Sequence, residues 1–224
     1  LFRYLAGECR ERKLAWDAGT GNGQAARKLA LHYDQVYATD ASSAQTFNAI
    51  PQSNITYAVA NEQVPALKRR TVNLITVAQA LHWFDIDVFY AEVERVLKKY
   101  GVLACWSYKL FRINSEVDRE IDWLYTDLLG NHWAPEHRLV DTGYRTLSFP
   151  FREFRAPCIE LKAVWDFENM IGFISSWSAV ANYKKREGLD PILENMDRLK
   201  AVWGDPDDRK NVMWPFSIRA GRVR

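Results

Sequence analysis

The sequence has few of the features that mark a secreted or membrane-spanning protein. Only three cysteines occur in 224 residues, and Cys9, Cys105 and Cys158 stand too far apart for a metal-ligand spacing. We therefore expect no metal centre. The odd number of cysteines argues against a disulfide framework, so we expect a reducing compartment, the cytoplasm. No apolar run approaches the roughly 20 residues of a membrane-spanning helix, and no signal-peptide pattern begins the chain. We therefore expect no membrane partner.

An excess of charge of one sign is also missing. The 30 basic and 28 acidic residues leave a formal net charge of +2. Short basic clusters, such as residues 68–70, have the size of ordinary solvated faces, so we expect no nucleic-acid partner. Hydrophobic residues make up 48% of the chain, which is enough for the buried core of one α/β domain with an elaboration.

Short apolar runs alternate with longer helical patterns through the first half of the chain. The predicted strands lie at residues 14–16, 36–39, 55–59, 74–77 and 102–106. The predicted helices lie at residues 24–33 and 87–99, and Gly101 is expected to end the second of them. This alternation is typical of parallel βαβ units.

The second half has longer helical patterns, at residues 115–129 and 168–185, and many tryptophans. Because no linker separates the halves, we expect a single domain over residues 1–224. Its expected parts are a cofactor-binding core at 1–108, cap insertions around a late edge strand at 109–210, and a final strand at 211–224. We expect residues 159–165 and 212–220 to pair antiparallel at the sheet edge, where Pro215 is tolerated.

Three alternating glycines follow the first predicted strand, in the segment LAWDAGTGNGQ. Gly19, Gly21 and Gly23 lack a Cβ atom, so this loop can adopt positive φ angles and let a ligand approach the backbone. Asp17 stands just before the glycines, and Asp40 ends the next predicted strand. A carboxylate at that second position can accept hydrogen bonds from both hydroxyls of a ribose. The pattern predicts a site for a ribose-containing ligand.

Further segments follow in order within residues 14–108: ATDAS, AVANEQVP, AQALHWFD and EVERVLKKYGVLACWSY. Together with DAGTGNG they resemble the class I, Rossmann-like S-adenosylmethionine-dependent methyltransferases, in particular the small-molecule enzymes of the methyltransferase type 11 and trans-aconitate methyltransferase-like group. The resemblance implies an α/β fold with a Rossmann-like, seven-stranded, mostly parallel sheet and an antiparallel edge strand. We expect the second half of the chain to add a helical, aromatic-rich cap to this fold. It implies S-adenosylmethionine as the cofactor.

The resemblance also implies which residues contact that cofactor, grouped by the part of it that they face. They are Asp17, Ala18, Gly19 and Gly21 at the methionine end, Asp40 at the ribose, Ala41, Asn61 and Glu62 at the adenine, and Gln79 at the sulfonium side.

The chain departs from the family pattern in three places. Ala60 stands where many relatives carry an acidic residue, so we expect adenine recognition to rest on backbone amides and on the two polar residues that follow. Lys99 and Tyr100 replace a common proline and glycine, a change that we expect to be structural only. Relatives also carry a further segment before their first helix, so we expect Leu1 to be a truncated or disordered start.

Two other functions remain open. A nicotinamide-dependent Rossmann oxidoreductase would carry the spacing Gly-x-Gly-x-x-Gly, whereas here Ala26 holds the outer position and Asp17 would repel a diphosphate. A non-catalytic, S-adenosylmethionine-binding partner subunit would keep the whole glycine motif and show no turnover.

We expect the methyl acceptor to be a small organic molecule. The asparagine-proline-proline-tyrosine motif with which some enzymes grip a nucleobase is absent, whereas the second half is aromatic-rich. His82 follows the fourth strand and is the candidate general base, which only an acceptor with an acidic proton requires. With Trp83, Trp177 and Tyr183 it forms the predicted acceptor pocket, with Trp177 and Tyr183 on one helix. The alternative is that these four side chains only pack.

Overall fold

The computed structural model describes residues 1–62 and 65–223. In this part of the chain the strands are β1 (Leu14–Ala18), β2 (Gln35–Asp40), β3 (Ile55–Val59), β4 (Val72–Ala78), β5 (Leu97–Tyr108), β6 (Arg152–Phe154), β7 (Leu161–Trp165), β8 (Lys210–Trp214) and β9 (Phe216–Arg222). The helices are α1 (Phe2–Glu8), α2 (Gln24–Leu29), α3 (Ser43–Phe47), α4 (Ile86–Val96), α5 (Ser115–Trp123), α6 (Arg138–Asp141), α7 (Phe167–Ser175), α8 (Ser178–Glu187), α9 (Pro191–Glu194) and α10 (Met196–Trp203).

These elements form two compact units. The first comprises residues 1–108, residues 139–159 and the described residues from 216 onward, and the second comprises residues 109–138 and 160–215. The first unit contains a seven-stranded sheet in the order β3-β2-β1-β4-β5-β9-β6. The second contains a two-stranded sheet of β7 and β8, together with α5 and α7 to α10.

The sheet of the first unit confirms the predicted architecture. Strands β1 to β5 are parallel to one another, and β9 runs antiparallel between β5 and β6. All five strands that the sequence predicts in the first half are present: β3 has the predicted ends, β1, β2 and β4 are longer by two or three residues in total, and β5 begins five residues earlier and ends two residues later than predicted. The antiparallel strand lies next to the edge, because the three-residue β6 pairs with its outer side.

The prediction for the last strands is wrong in part. The sequence predicts that residues 159–165 and 212–220 pair at the edge of the main sheet. Instead, β7 pairs with β8 in a separate two-stranded sheet, and β9 joins the main sheet. The division falls at Pro215, which has no backbone N–H to continue a ladder of hydrogen bonds. The predicted final strand at 211–224 is therefore two strands in two sheets.

The predicted helix at residues 87–99 also runs too long. α4 ends at Val96, because Leu97 takes an extended conformation (φ −67°, ψ 139°) and starts β5 opposite Val72. Leu97 is buried in the core of the sheet, which favours strand pairing over another helical turn. Gly101 therefore lies inside a strand and does not end a helix.

Three further helix predictions differ at their ends or in the middle. α2 ends at Leu29, four residues before the predicted end at residue 33. α5 continues as a π-helical turn to Leu128, close to the predicted end. The predicted helix at 168–185 is two helices, because Trp177 adopts φ −66° and ψ 136° between α7 and α8. Trp177 and Tyr183 are thus not on one helix.

Apolar side chains cover both faces of the main sheet, as expected for a mostly parallel sheet. On one face Trp16, Ile75 and Leu103 pack with the buried side of α4. On the other, Ala15 and Leu74 pack with the buried residues of α1 and α2. Strands buried on both faces hold their ends rigidly, which is what a binding site at the strand ends requires.

The second unit is held together by aromatic side chains. Phe111 lies at the centre of one group, with ring centroids 5.4 Å from Trp165 and 6.2 Å from Trp214. Trp177 joins this group and also lies 5.7 Å from Trp133. No helix in residues 1–62 or 65–223 has both the length and the apolar content that crossing a membrane demands.

Alanine substitutions at two glycines with positive φ can separate the free-energy cost of a strained backbone conformation from the cost of steric overlap. Gly143 (φ +62°) leaves 2.5 Å between an added Cβ and Oγ of Ser217, whereas Gly188 (φ +75°) has no atom within 4 Å of such a Cβ. We predict that Gly188→Ala lowers the free energy of unfolding by about 1 kcal/mol. Gly143→Ala should cost roughly 1 to 3 kcal/mol more, because it adds overpacking to the same strain.

Urea-induced unfolding of both variants measures these costs. Equal losses in the two variants would contradict the close approach of Gly143 to β9.

Candidate active site

The carboxyl ends of β1, β2 and β4 lie side by side, because β1 pairs in parallel with both neighbours. Ala18 is opposite Thr39, and Asp17 is opposite Thr76. The loops that leave these three strands therefore share one edge of the sheet, which is where ligands bind in open α/β sheets. The predicted residues from Asp17 to Gln79 lie at the carboxyl ends of β1 and β2, in the loops that follow β1, β2 and β4, or in the loop after β3.

The loop between β1 and α2 depends on its three glycines. Gly19, Gly21 and Gly23 have φ angles of +67°, +57° and +85°, which other residues rarely adopt. An added Cβ would lie 2.4 Å from Cβ of Ala80 at Gly19 and 2.2 Å from the hydroxyl of Tyr57 at Gly23. These two glycines thus let neighbouring protein segments approach the loop.

Gly21 differs from the other two glycines. The nearest atom to an added Cβ is Oε1 of Gln45 at 3.8 Å, so no side chain presses on this part of the loop. Its backbone N–H donates to Oδ2 of Asp40 at 2.8 Å. Gly21 is therefore the point at which the loop is both open and tied to the end of β2.

Asp40 joins the loops after β1 and β2. Its Oδ1 accepts a hydrogen bond from the backbone N–H of Ser42 at 2.9 Å, and its Oδ2 accepts the one from Gly21. Ser42 in turn caps α3 by accepting from the N–H of Gln45. A carboxylate has about four acceptor positions, so two of them are left for a ligand.

Asp17 is fully buried and is held by two threonines. Thr20 Oγ1 donates to its Oδ2 and Thr76 Oγ1 to its Oδ1, each at 2.6 Å. Burial raises the pKa of Asp17 from 3.8 to about 6, although both threonine hydrogen bonds act to lower it. The carboxyl group thus connects the glycine loop with β4 from inside the protein.

Gln79 directly follows β4 in a left-handed conformation (φ +54°). Its N–H donates to the carbonyl of Trp106 at 3.0 Å, and its Nε2 donates to the carbonyl of Tyr108 at 3.3 Å. Its Oε1 is buried and has no hydrogen-bond partner within the described chain. Such an atom costs free energy unless a ligand or solvent donates to it.

The predicted adenine contacts lie in two loops. Ala41 is exposed directly after β2, and Asn61 is exposed after β3. Oε1 of Glu62 accepts a hydrogen bond from the N–H of Asp85 at 3.3 Å, which places the loop after β3 against the start of α4. Residues 63 and 64, which belong to the segment AVANEQVP, lie outside the described residues.

His82 and Trp83 lie in a 3-10 turn, Leu81–Trp83, soon after β4. His82 is 8% exposed, and its Nδ1 lies 3.1 Å from the hydroxyl of Tyr144. Trp83 is 57% exposed, and its ring centroid is 4.7 Å from that of His82. The turn thus holds a buried imidazole beside an exposed indole.

The other two predicted acceptor residues lie in the second unit. Trp177 is half-buried, with its ring centroid 5.7 Å from that of Tyr125. Tyr183 lies in α8 against His132, with ring centroids 4.8 Å apart. The two residues belong to different aromatic contacts of this unit, and their role in an acceptor pocket stays a prediction.

Comparison with known proteins identifies the family. The model of the Methyltransf_11 family, a methyltransferase domain, matches residues 16–105. A Dictyostelium discoideum protein named as a methyltransferase is 33% identical over 211 residues, which cover 92% of this chain and 80% of that protein. The chain belongs to the S-adenosylmethionine-dependent methyltransferases. This membership decides against the nicotinamide-dependent alternative.

Other relatives agree with this methyltransferase assignment. A solved structure named as a type II methyltransferase from Anaeromyxobacter dehalogenans superposes with a TM-score of 0.90 at 42% identity, over 99% of this chain and 94% of that one. A Saccharomyces cerevisiae protein named as an S-adenosylmethionine-dependent methyltransferase is 27% identical over 105 residues, 43% of this chain and 36% of that protein. Its name supports S-adenosylmethionine as the methyl donor.

Three residues that matter at this methyltransferase site are missing from the predicted set. Thr20 lies within the glycine motif, and its position between two glycines could have marked it. Thr76 is one of two polar residues in a mostly apolar strand, which is a weaker signal. Tyr144 comes from a distant segment of the chain and gives no signal that a local pattern could reveal.

The burial of Asp17 predicts how stability depends on pH. Between about pH 4 and 6 the folded protein keeps a proton on Asp17 that the unfolded chain has released. The free energy of unfolding therefore falls as pH rises through this window, by about 2 to 3 kcal/mol from this group. The amide of Asp17→Asn does not titrate in this window. The free energy of unfolding of this variant, relative to that of the wild type, should therefore rise by the same amount between pH 4 and 7.

Urea unfolding at a series of pH values measures the difference. Asp87→Asn, at an exposed position in the first turn of α4, is the control and should keep a constant offset. A constant offset for Asp17→Asn as well would show that the buried carboxyl does not have a raised pKa.

Proposed function

We propose that this methyltransferase is an active enzyme that methylates a small organic molecule, and that residues 1–224 act as a single methyltransferase domain. S-adenosylmethionine, when bound, supplies an electrophilic methyl group on its sulfonium. The part of the protein is chiefly to align acceptor and methyl group, and alignment of this kind can contribute about 7 to 11 kcal/mol. The rigid strand ends of the first unit are suited to that task.

Three features of the described residues fit this donor. The space over Gly21 lets an extended ligand pass close to the loop. The two remaining acceptor positions of Asp40 suit two vicinal hydroxyls of a ribose. Oε1 of Gln79, which has no partner within the described residues, can accept a hydrogen bond from the ammonium group in the methionine part of the donor or stabilise the positive charge of its sulfonium.

The remaining predicted donor contacts have smaller roles in this proposal. We propose that Ala18 and Gly19 shape the loop backbone toward the methionine end, and that Ala41, Asn61 and Glu62 flank the adenine. Because Asp17 is fully buried and both of its oxygens accept hydrogen bonds from threonine hydroxyls, Asp17 acts by positioning the loop.

The exposed indole of Trp83 is the observation that best supports a small organic molecule as the methyl acceptor. A large aromatic side chain that is 57% exposed, in the turn that follows β4, offers an apolar surface beside the donor site. The neighbouring His82 adds a polar group at the same turn. An apolar wall with few polar groups is typical of sites that enclose small organic molecules.

Substitution of Asp40 tests the donor site. Asp40→Ala removes the ribose acceptor and the tie to Gly21, and each shielded charge-assisted hydrogen bond is worth about 1.5 to 3 kcal/mol. We predict that S-adenosylhomocysteine binds at least ~10-fold more weakly to this variant in isothermal titration calorimetry. Asp34→Ala is the matched control, because Asp34 is exposed just before β2 and its carboxylate pairs with the exposed Lys13.

The control should bind as the wild type does. Binding to Asp40→Ala within twofold of the wild type would place the donor elsewhere.

Transfer of a radioactive methyl group tests the acceptor class. The purified full chain is incubated with methyl-tritiated S-adenosylmethionine and a lysate of the source organism, and the products are then separated by size. We predict label in the small-molecule fraction, and less label with Trp83→Ala. Label confined to protein or nucleic acid would contradict the proposal. Binding of S-adenosylhomocysteine without transfer into any fraction would instead indicate a non-catalytic partner subunit.

A further inference from the structure

A cavity of about 870 Å³ lies in the first unit, at the edge of the main sheet opposite the candidate active site. Its lining includes Arg70, which comes shortly before β4, and Leu97, which begins β5. Because β4 and β5 run parallel to β1, their first residues lie at the edge opposite to the one where the glycine loop leaves β1. The cavity is therefore separate from the methyl-donor site.

Basic side chains dominate this cavity. Among the described residues it is lined by one acidic side chain, Glu94, and by five basic ones, Arg69, Arg70, Arg95, Lys99 and Arg222. The sequence shows only the short basic cluster at residues 68–70, whereas the fold adds cations from α4, β5 and β9. Such a concentration of charge of one sign attracts anions. We call this place the basic cavity.

Three of its cations have no counter-ion. Within residues 1–62 and 65–223, Arg69, Arg70 and Lys99 form no ion pair with a carboxylate, and all three are exposed. Like charges gathered in one place repel one another and destabilise the folded state. A bound anion would offset this repulsion.

The other two cations are held in place and still have donors to spare. Nε of Arg95 donates to Oε2 of Glu92 at 2.7 Å, and Nη2 of Arg222 donates to the carbonyl of Glu8 at 3.2 Å. Nη1 of Arg95 and Nη1 of Arg222 make no hydrogen bond within the described part of the chain. Guanidinium groups that are already ordered lose little freedom when they bind an anion.

Backbone contacts fix Arg70 beside Arg95. The N–H of Arg70 donates to the carbonyl of Arg95 at 3.0 Å, and the N–H of Thr71 donates to the carbonyl of Val96 at 2.9 Å. Arg70 has a φ angle of +55°, which is uncommon for a residue other than glycine and persists where the surroundings impose it. The segment before β4 is thus fastened to the end of α4, with cations on both.

We propose that the basic cavity binds a small molecule that carries two or more phosphate groups. Guanidinium groups match phosphate oxygens with two parallel hydrogen bonds, and a phosphate group carries roughly −1.5 to −2 charges near pH 7. The volume fits the range of about 300 to 1,000 Å³ that is typical of small-molecule sites. The cations also surround one cavity instead of following a line, as an extended nucleic-acid backbone requires. The inference does not rest on the proposed function.

Isothermal titration calorimetry of the full chain with inorganic pyrophosphate tests the basic cavity. We expect Arg69→Ala/Lys99→Ala to bind pyrophosphate at least ~10-fold more weakly than the wild type, because it loses charge-assisted hydrogen bonds. Lys185→Ala/Lys200→Ala is the matched control, since it removes the same net charge from exposed positions in α8 and α10. It should bind pyrophosphate as the wild type does.

Hydrogen–deuterium exchange of the wild type locates the bound pyrophosphate without any substitution. The amides of residues 70 and 71 already donate to the end of α4, and we expect pyrophosphate to slow their exchange and that of residues 97–100. Exchange in the glycine loop, residues 19–23, should not change.

Absence of pyrophosphate binding to the wild type would overturn the inference. Equal losses in the two double variants, or slowed exchange in the glycine loop alone, would do the same. A short single-stranded oligonucleotide that binds more tightly than pyrophosphate and depends on Arg69 and Lys99 would identify a nucleic-acid surface instead and would also contradict it.

Titration of the wild type with S-adenosylhomocysteine keeps this inference apart from the proposed function. Absence of S-adenosylhomocysteine binding would contradict only the proposed function. Absence of pyrophosphate binding, with S-adenosylhomocysteine bound, would contradict only the basic cavity as a phosphate site.

Discussion

The site depends most directly on the hydrogen bond from the N–H of Gly21 to Asp40. It fastens the loop after β1 to the end of β2, two segments that the parallel register already places at one edge of the sheet. The bond requires the left-handed φ of Gly21, which another residue would adopt only with strain. It also leaves acceptor positions on Asp40 unused. One interaction therefore shapes the loop and prepares the carboxylate for a ligand.

The buried Asp17 is a second tie, and it works against stability. Its two threonine partners connect the glycine loop with β4, but burial of the carboxyl raises its pKa to about 6, so ionising it costs more free energy in the folded protein than in the unfolded chain. A neutral amide could fill the same space at a lower cost in free energy. We infer that the protein gives up stability for a loop geometry that suits the donor, a trade often found at functional sites.

The sequence was informative where structure depends on local pattern. The glycine loop, the acidic residue at the end of β2 and the first five strands follow from short-range patterns, and all are present. The end of α4 and the division at Pro215 could not be predicted, because long-range strand pairing decides both. The partner of His82 was missed for the same reason, since Tyr144 is 62 residues away. The side chain could be selected from sequence, but its hydrogen-bonding role depends on a contact that only the fold creates.

A crystal structure of the full chain with S-adenosylhomocysteine is the most direct test of this account. We predict that the adenosyl group lies along the open side of Gly21, that the ribose hydroxyls donate to Asp40, and that Oε1 of Gln79 gains a partner. The backbone of the loop from Gly19 to Gly23 should keep its positive φ angles. A ligand bound at any other edge of the sheet, or a ribose without contact to Asp40, would contradict the account.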